Sequence, residues 1–395
     1  MKEKFILLRN FKKNENVSSF SNANNNIELD IDIIDFEKKN VATLLKDTSV
    51  IDFAPSIPMN LIDPVKFDTN GQTLSDKITW GIKAVKADSS PFTGKGITVA
   101  VLDTGIDPTH PAFKDIKKII QKNFTDDTEE DDENGHGTHC AGTIFGKETD
   151  GIRIGVAPGV ENALIGKVLD YNGSGASEQI INGIKWAADN KADIISMSLG
   201  FDFPGYVNSL INSNYPPDLA TSKALMGYSA NVRLFENLVS FLQSSENSVP
   251  IIIAAAGNES KRDINPEYEI IVSPPAASKG IISVAALGKT DDKLNVASFS
   301  NIGATISGPG VDILSAKATK ARGEGNLISF NGTSMATPHI AGLAALWAEK
   351  LIRESSRLNI LELTSVLISS GKKNDIISGT DYFDFGSGLA TAPQD

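Results

Sequence analysis

Five short apolar runs constrain this chain more than anything else in it: "ITVAVLD", "ALIGKVLD", "ADIISMSL", "VPIIIAAAG" and "IISVAALG". Each is strand length and nearly continuous, without the alternation of a sheet that keeps one face in water. Strands of that kind are buried on both sides. Helix-period segments lie between them, such as "SEQIINGIKWAADN" and the long "LATSKALMGYSANVRLFENLVSFLQ". The pattern predicts an α/β domain with a mostly parallel sheet between two helical layers. In such sheets functional groups gather at the carboxyl ends of the strands.

The 395 residues leave room for one large domain and a smaller companion. Residues 1–63 read as that companion, a small α+β unit with strand-like "KFILLRNF", a polar loop "NENVSSFSNANNN", alternating "IELDIDIID", helix-like "FEKKNVATLLKD" and then "SVIDFAPSIPM". A polar stretch over residues 64–78 reads as a linker, and residues 79–395 as the main domain. The net charge of −12 argues against nucleic acid as a partner. A single cysteine excludes an internal disulfide framework. The apolar run near the start, from Phe5 to Leu8, is far shorter than a secretory leader requires, and no run is long enough to span a bilayer. The chain therefore reads as cytoplasmic with no membrane partner, export by an unconventional route being the alternative.

Four polar residues stand where a parallel sheet places chemistry. Asp103 closes "ITVAVLD", His136 opens the small-residue helix "GTHCAGTIFG", Asn258 follows "IIIAAAG", and Ser334 sits where a glycine turn enters a long apolar helix. Each has a plainer reading. Asp103 serves equally as a turn residue, Asn258 as a turn former, Thr333 or Ser334 as an N-cap, and His136 as a solvated helix start. His136, His139, Cys140 and Asp103 could also be drawn together as metal ligands, although no second ligand pair of the kind zinc sites use appears elsewhere.

Taken together, the blocks "VAVLDTGID", "GHGTHCAGTI", "AAAGN" and "NGTSMATPHIAG" resemble those of the subtilisin-like serine proteases, from about Trp80 to the closing "FGSGLATAP". The order aspartate, histidine, serine is the one known for subtilisin itself. The resemblance implies a three-layer subtilisin-like domain and a serine endopeptidase: Ser334 as nucleophile, His136 as general base, Asp103 orienting it, and Asn258 as oxyanion-hole donor. It also implies a substrate strand at Ser198, Leu199 and Gly200, and a specificity pocket walled by Ala254, Ala255, Ala256 and Gly257, with "IVSPPAASKG" and its Ser273 near the floor. Polypeptides are the implied substrates, and the chemistry needs no cofactor. His139 and Cys140 then belong to the packing face of the helix. Residues 1–63 resemble a family propeptide that chaperones folding, inhibits, and is removed by self-cleavage within 64–78.

The chain departs from the family in three places. Structural calcium is common in a loop after the histidine helix, but here "FGKETDGIRIGVAP" offers no clear ligand set. The acidic run over residues 126–134 reads as a solvated loop or, beside the cleft, as a selector of basic substrates. Residues 201–248 insert a loop and a long amphipathic helix, read as an elaborated crossover, with restriction of access or partner recruitment as alternatives. Two other functions stay open: a processing protease dedicated to one protein or peptide, and a non-catalytic peptide-binding module.

Overall fold

The computed structural model describes residues 2–12, 27–37, 41–65, 77–244, 249–290, 293–319, 325–377 and 380–395. The polar loop expected over residues 14–26 and most of the linker lie outside the described residues. The N-terminal unit holds β1 (Lys2–Lys12), β2 (Ile27–Glu37), a short α1 (Val41–Leu44), β3 (Val50–Pro55) and β4 (Pro58–Leu61). The first three strands form an antiparallel sheet in the order β2-β1-β3. Period-2 alternation gives this sheet two apolar faces. Phe5 and Leu7 pack with Leu44 in a cluster of their own, whereas Ile6 and Leu8 join a core shared with the main domain. The helix expected over residues 36–47 shrinks to α1 because β2 claims Phe36, whose ring meets Phe5 edge-on at 6.3 Å.

The main domain opens with α2 (Trp80–Ala84), β5 (Thr98–Asp103), β6 (Lys118–Asn123), α3 (His136–Phe145) and β7 (Asn162–Lys167). It continues with β8 (Ser174–Ala176), α4 (Ser177–Asp189), β9 (Ile194–Met197), β10 (Leu199–Gly200), α5 (Phe203–Asn212) and α6 (Pro217–Ser244). After them come β11 (Ile251–Ala255), β12 (Ile281–Thr290), β13 (Lys293–Val296), β14 (Ile306–Pro309), β15 (Ile313–Ala316), β16 (Leu327–Phe330), α7 (Thr333–Ser355) and α8 (Ile360–Ser369). The central sheet runs β13-β12-β11-β9-β5-β7-β6 with β14 also beside β12, and every pairing is parallel except β12 with β13.

All five apolar runs are strands of this sheet, as expected, and β5 shows why they had to be apolar throughout. Val99 and Val101 face α3 and α7 with Ile144 and Ile340, while Ala100 and Leu102 face α4 and α6 with Ile180 and Leu238. The fold is the expected α/β domain with a small N-terminal unit. The chain leaves β5 toward β7 and β6, then crosses back to β9 on the other side. That reversal opens a crevice at the carboxyl end of β5, where Asp103 sits.

Candidate active site

Asp103 is fully buried, and its Oδ1 accepts a hydrogen bond from Thr104 N–H at 2.8 Å. The same oxygen lies 2.9 Å from His136 Nδ1. His136 is the first residue of α3, after Gly135 at φ +100°. The helix can start this close to β5 because position 137 is glycine: a Cβ there would fall inside contact distance of Gly105 O. Asp132 holds the junction together. Its Oδ1 accepts from Thr104 Oγ1–H at 2.8 Å and from Gly135 N–H at 2.8 Å, and its Oδ2 from Thr138 N–H at 2.8 Å. Burial pulls the His136 imidazole down, but the Asp103 carboxylate and the adjacent Cys140 together outweigh it and hold the ring well above its usual value. With Nδ1 bonded to Asp103, Nε2 is buried and has no partner among the described residues.

Ser334 is the second residue of α7 and fully buried. Its Oγ–H is shared between Ile62 O at 3.0 Å and Ser198 O at 3.3 Å. Asn258 follows β11 through Gly257 at φ +114°, a conformation that favours glycine. The Asn258 Oδ1 accepts from Thr333 N–H at 3.0 Å and Thr333 Oγ1–H at 2.9 Å, which turns Nδ2 outward to donate to Asp63 O at 3.0 Å. The structure thus joins Asp103 to His136 directly. It brings Ser334 and Asn258 together across one stretch of backbone, and leaves Ser334 without a hydrogen bond to His136.

That stretch belongs to the N-terminal unit. β4 lies antiparallel between β10 and β8, with Leu61 opposite Leu199, Asn60 opposite Gly200, and Met59 opposite Gly175. Ser198, Leu199 and Gly200 therefore line an extended peptide, and β8 is a second wall that sequence reasoning missed, its only signal being the glycine-rich "NGSGA". Past the cleft, Val65 exchanges hydrogen bonds with Asn331. Ile62 carries the side chain at the pocket, since a Cβ on Gly200 would meet Ile62 Cδ1 at 3.4 Å and Ser273 Oγ at 3.6 Å. Ala254, Ala255, Ala256 and Gly257 are all buried beside it. Ser273 also lines a cavity of about 230 Å³ with Phe201, Tyr228 and Glu259. Glu259 was not singled out from sequence: burial pushes its carboxyl up to about 7, while Asn301 Nδ2–H bonds to it at 2.5 Å.

The four-ligand metal arrangement is not assembled. Asp103, His136 and Cys140 are close enough to share an ion, but His139 turns away, its Nε2 2.9 Å from Ile313 O and its ring stacked on Phe330 at 4.7 Å. Burial lowers the His139 imidazole to about 3 and raises the Cys140 thiol. The acidic run is less solvated than expected. Asp132 is buried at the start of α3, and Asp127 pairs with the buried Lys167 at 3.0 Å.

The described part of the insertion, residues 201–244, serves as a crossover and more. The stretch read as a loop contains α5, which Asp202 caps by accepting from Gly205 N–H at 2.8 Å, with Pro204 in the first turn where its missing N–H costs nothing. The helix α6 carries the N-terminal unit. Arg233 Nε meets both Asp52 oxygens at 3.1 and 3.0 Å, Asn237 Nδ2–H reaches Asp52 at 2.8 Å, and buried Asn231 donates to Pro55 O at 2.9 Å.

The loop after α3 does not fit calcium, an ion that takes several oxygen ligands. Arg153 donates to Gly155 O at 3.2 Å and to Ala87 O and Val156 O at 3.1 Å, and Lys147 Nζ donates to Pro158 O. Thr149 and Ile152 bond to each other, and Glu148 and Asp150 are exposed. The loop carbonyls of Gly155, Val156 and Pro158 already accept from Arg153 and Lys147.

Residues 94–382 match the description of the Subtilase family. The chain is 38% identical over 294 residues to the "Major intracellular serine protease" of Bacillus subtilis, covering 71% of this chain and 79% of that protein. It is 32% identical over 370 residues to the "M-protease" of Shouchella clausii, covering 88% and 82%. It is also 32% identical over 318 residues to "Subtilisin DY" of Bacillus licheniformis, covering 79% and 96%.

Proposed function

Since the chain belongs to the subtilase family and is a serine endopeptidase, a hydrolase acting on polypeptides, we propose that Asp103, His136 and Ser334 are its catalytic triad and that residues 1–62 are a self-removed inhibitory segment. The observation that carries the assignment is the His136 ring, bonded through Nδ1 to Asp103 at 2.9 Å with its second nitrogen buried and unpaired, and joined to Ser334 by the Cys140 thiol, 3.7 Å from Nδ1 and 3.5 Å from Ser334 O. In the working state Ser334 Oγ turns from Ile62 O to His136 Nε2 and passes its proton there as it attacks the scissile carbonyl. Asn258 Nδ2 and the Ser334 N–H stabilise the resulting oxyanion. His136 returns the proton to the leaving amine, and water then releases the acyl group by the same steps reversed. No ion or cofactor takes part.

Substrate enters as β4 does, an extended strand held by main-chain hydrogen bonds between β8 and β10. Main-chain recognition supports a broad endopeptidase over a processor of one partner. By this register Ile62 occupies the position before the scissile bond, so self-cleavage falls at Ile62–Asp63, just ahead of the linker favoured from sequence. In the resting arrangement Asn258 grips Asp63 O instead of Ile62 O, one carbonyl out of place, which supports an inhibitor that is cut slowly. Two relatives are named intracellular, which supports placing the enzyme inside the cell. A sulfonyl fluoride tests the nucleophile. It must label the Ser334 peptide and stop peptide hydrolysis in step, and Ser334→Ala must remain unlabelled and inactive; label elsewhere, or activity in the variant, contradicts the assignment.

A further inference from the structure

Pro338 stands four residues after Ser334 inside α7. Proline has no N–H, so the helix bond that position 338 would give to the Ser334 carbonyl does not exist. A buried carbonyl needs a partner. Here the partner comes from across the cleft: Ser198 Oγ–H donates to Ser334 O at 2.9 Å, with the Cys140 thiol behind at 3.5 Å. The neighbouring carbonyls are held within the helix, Thr333 O by Thr337 Oγ1–H at 2.9 Å and Met335 O by the His339 ring at 2.8 Å. Ser334 O alone among these three is tied to another element.

Ser198 meets the same residue a second time, because its own carbonyl lies 3.3 Å from Ser334 Oγ. It also directly precedes Leu199 and Gly200, which pair with the peptide in the cleft. One residue therefore touches both ends of Ser334 and continues into the strand that holds substrate.

We propose that Ser198 is a positioning residue for Ser334: the carbonyl freed by Pro338 is a handle through which the substrate-binding strand sets the height and rotation of the nucleophile. The helix alone does not fix that position, since its first turn lacks the bond that would normally lock residue 334. Displacements of an ångström at the reacting atoms are costly, up to a hundredfold in rate. The inference rests on Ser334 being the nucleophile.

A double-mutant cycle on matured enzyme tests it, with kcat and KM measured for Ser198→Ala, Pro338→Ala and the pair. Ser198→Ala is expected to lower kcat about tenfold with KM within about twofold, because binding runs through the main chain while the nucleophile shifts. Pro338→Ala restores an N–H to the helix and satisfies Ser334 O from within, so in that background Ser198→Ala is expected to cost about twofold or less. Equal losses in both backgrounds, or a loss confined to KM, overturn the proposal. Should Pro338→Ala fail to fold, Ser198→Cys keeps a donor of similar size and must recover most of the kcat lost in Ser198→Ala; no recovery overturns it too. Ser334→Ala run alongside separates the premises: activity retained there removes the nucleophile assignment itself, whatever the cycle gives.

Discussion

At the scale of the residue, burial and charge pull the His136 imidazole in opposite directions, and Asp103 with Cys140 beside it prevails. A base held above its ordinary value is neutral only at higher pH, so activity must rise with pH as His136 loses its proton. The pair's contribution to stability has the matching sign: it is full below the unfolded value near 6.5 and is lost as pH climbs through the raised folded value. Asp103→Asn is expected to lower kcat about ten-thousandfold, a magnitude carried over from subtilisin and trypsin, and to move the acid limb of kcat/KM to lower pH. A pH profile of the variant with an unshifted limb would remove Asp103 from its role. The four residues proposed for this chemistry could be picked out in sequence because each is framed by a short, dense block. Asp132 could not, since the acidic run holds six other carboxylates and nothing local tells which one turns inward to cap α3. The bond from Ser198 to Ser334 spans 136 residues and depends on a proline whose effect appears only once the helix is known.

At the scale of the element, α6 connects two functions. Its inner face covers the sheet, with Leu234 and Leu238 in the core, and its outer face receives β3. Asp52 is the focus of that contact: buried, and held by Arg233 and Asn237 together. Asp52→Ala removes a carboxylate that accepts several charge-assisted bonds, while Arg233, more than half exposed, can rehydrate. The expected weakening is therefore about 1–3 kcal/mol, seen as a shorter lag before a full-length preparation hydrolyses peptide, with an unchanged final rate. A lag identical to wild type would show that β4 alone holds the cleft. The amphipathic period of α6 was plain in the sequence, but its second partner was not, because periodicity reports that a face is apolar and not what covers it. The helix α5 was missed because Pro204 and Gly205 read as breakers, although both sit in a first turn that tolerates them.

At the scale of the whole molecule, the five apolar runs located the central strands β5, β7, β9, β11 and β12, while β6, β13 and β14, which lack such a run, were not read from sequence. The small unit's tail in the cleft was implied by the family resemblance of "VIDFAPSIPMNLIDP", but the seat of its sheet on α6 was beyond the sequence, because it joins Asp52 to Arg233 and Asn237, far apart along the chain. The main domain is closed by a guanidinium at the loop after α3, where Arg153 links three backbone carbonyls, two in the loop and Ala87 near the domain's start. Arg153→Met in the Ser334→Ala background is expected to lower the melting temperature by about 5 °C, while a chelator leaves that of the parent unchanged. A parent that melts early in chelator, together with an indifferent variant, would restore the ion to this loop. The central claim is that a working triad lies beneath its own N-terminal segment, and the most direct test is the intact mass of the purified protein beside Ser334→Ala. The account predicts that wild type sheds its first 62 residues at Ile62–Asp63 while the variant stays whole. Cleavage that persists in Ser334→Ala, or a wild type that hydrolyses peptide freely at full length, would contradict it.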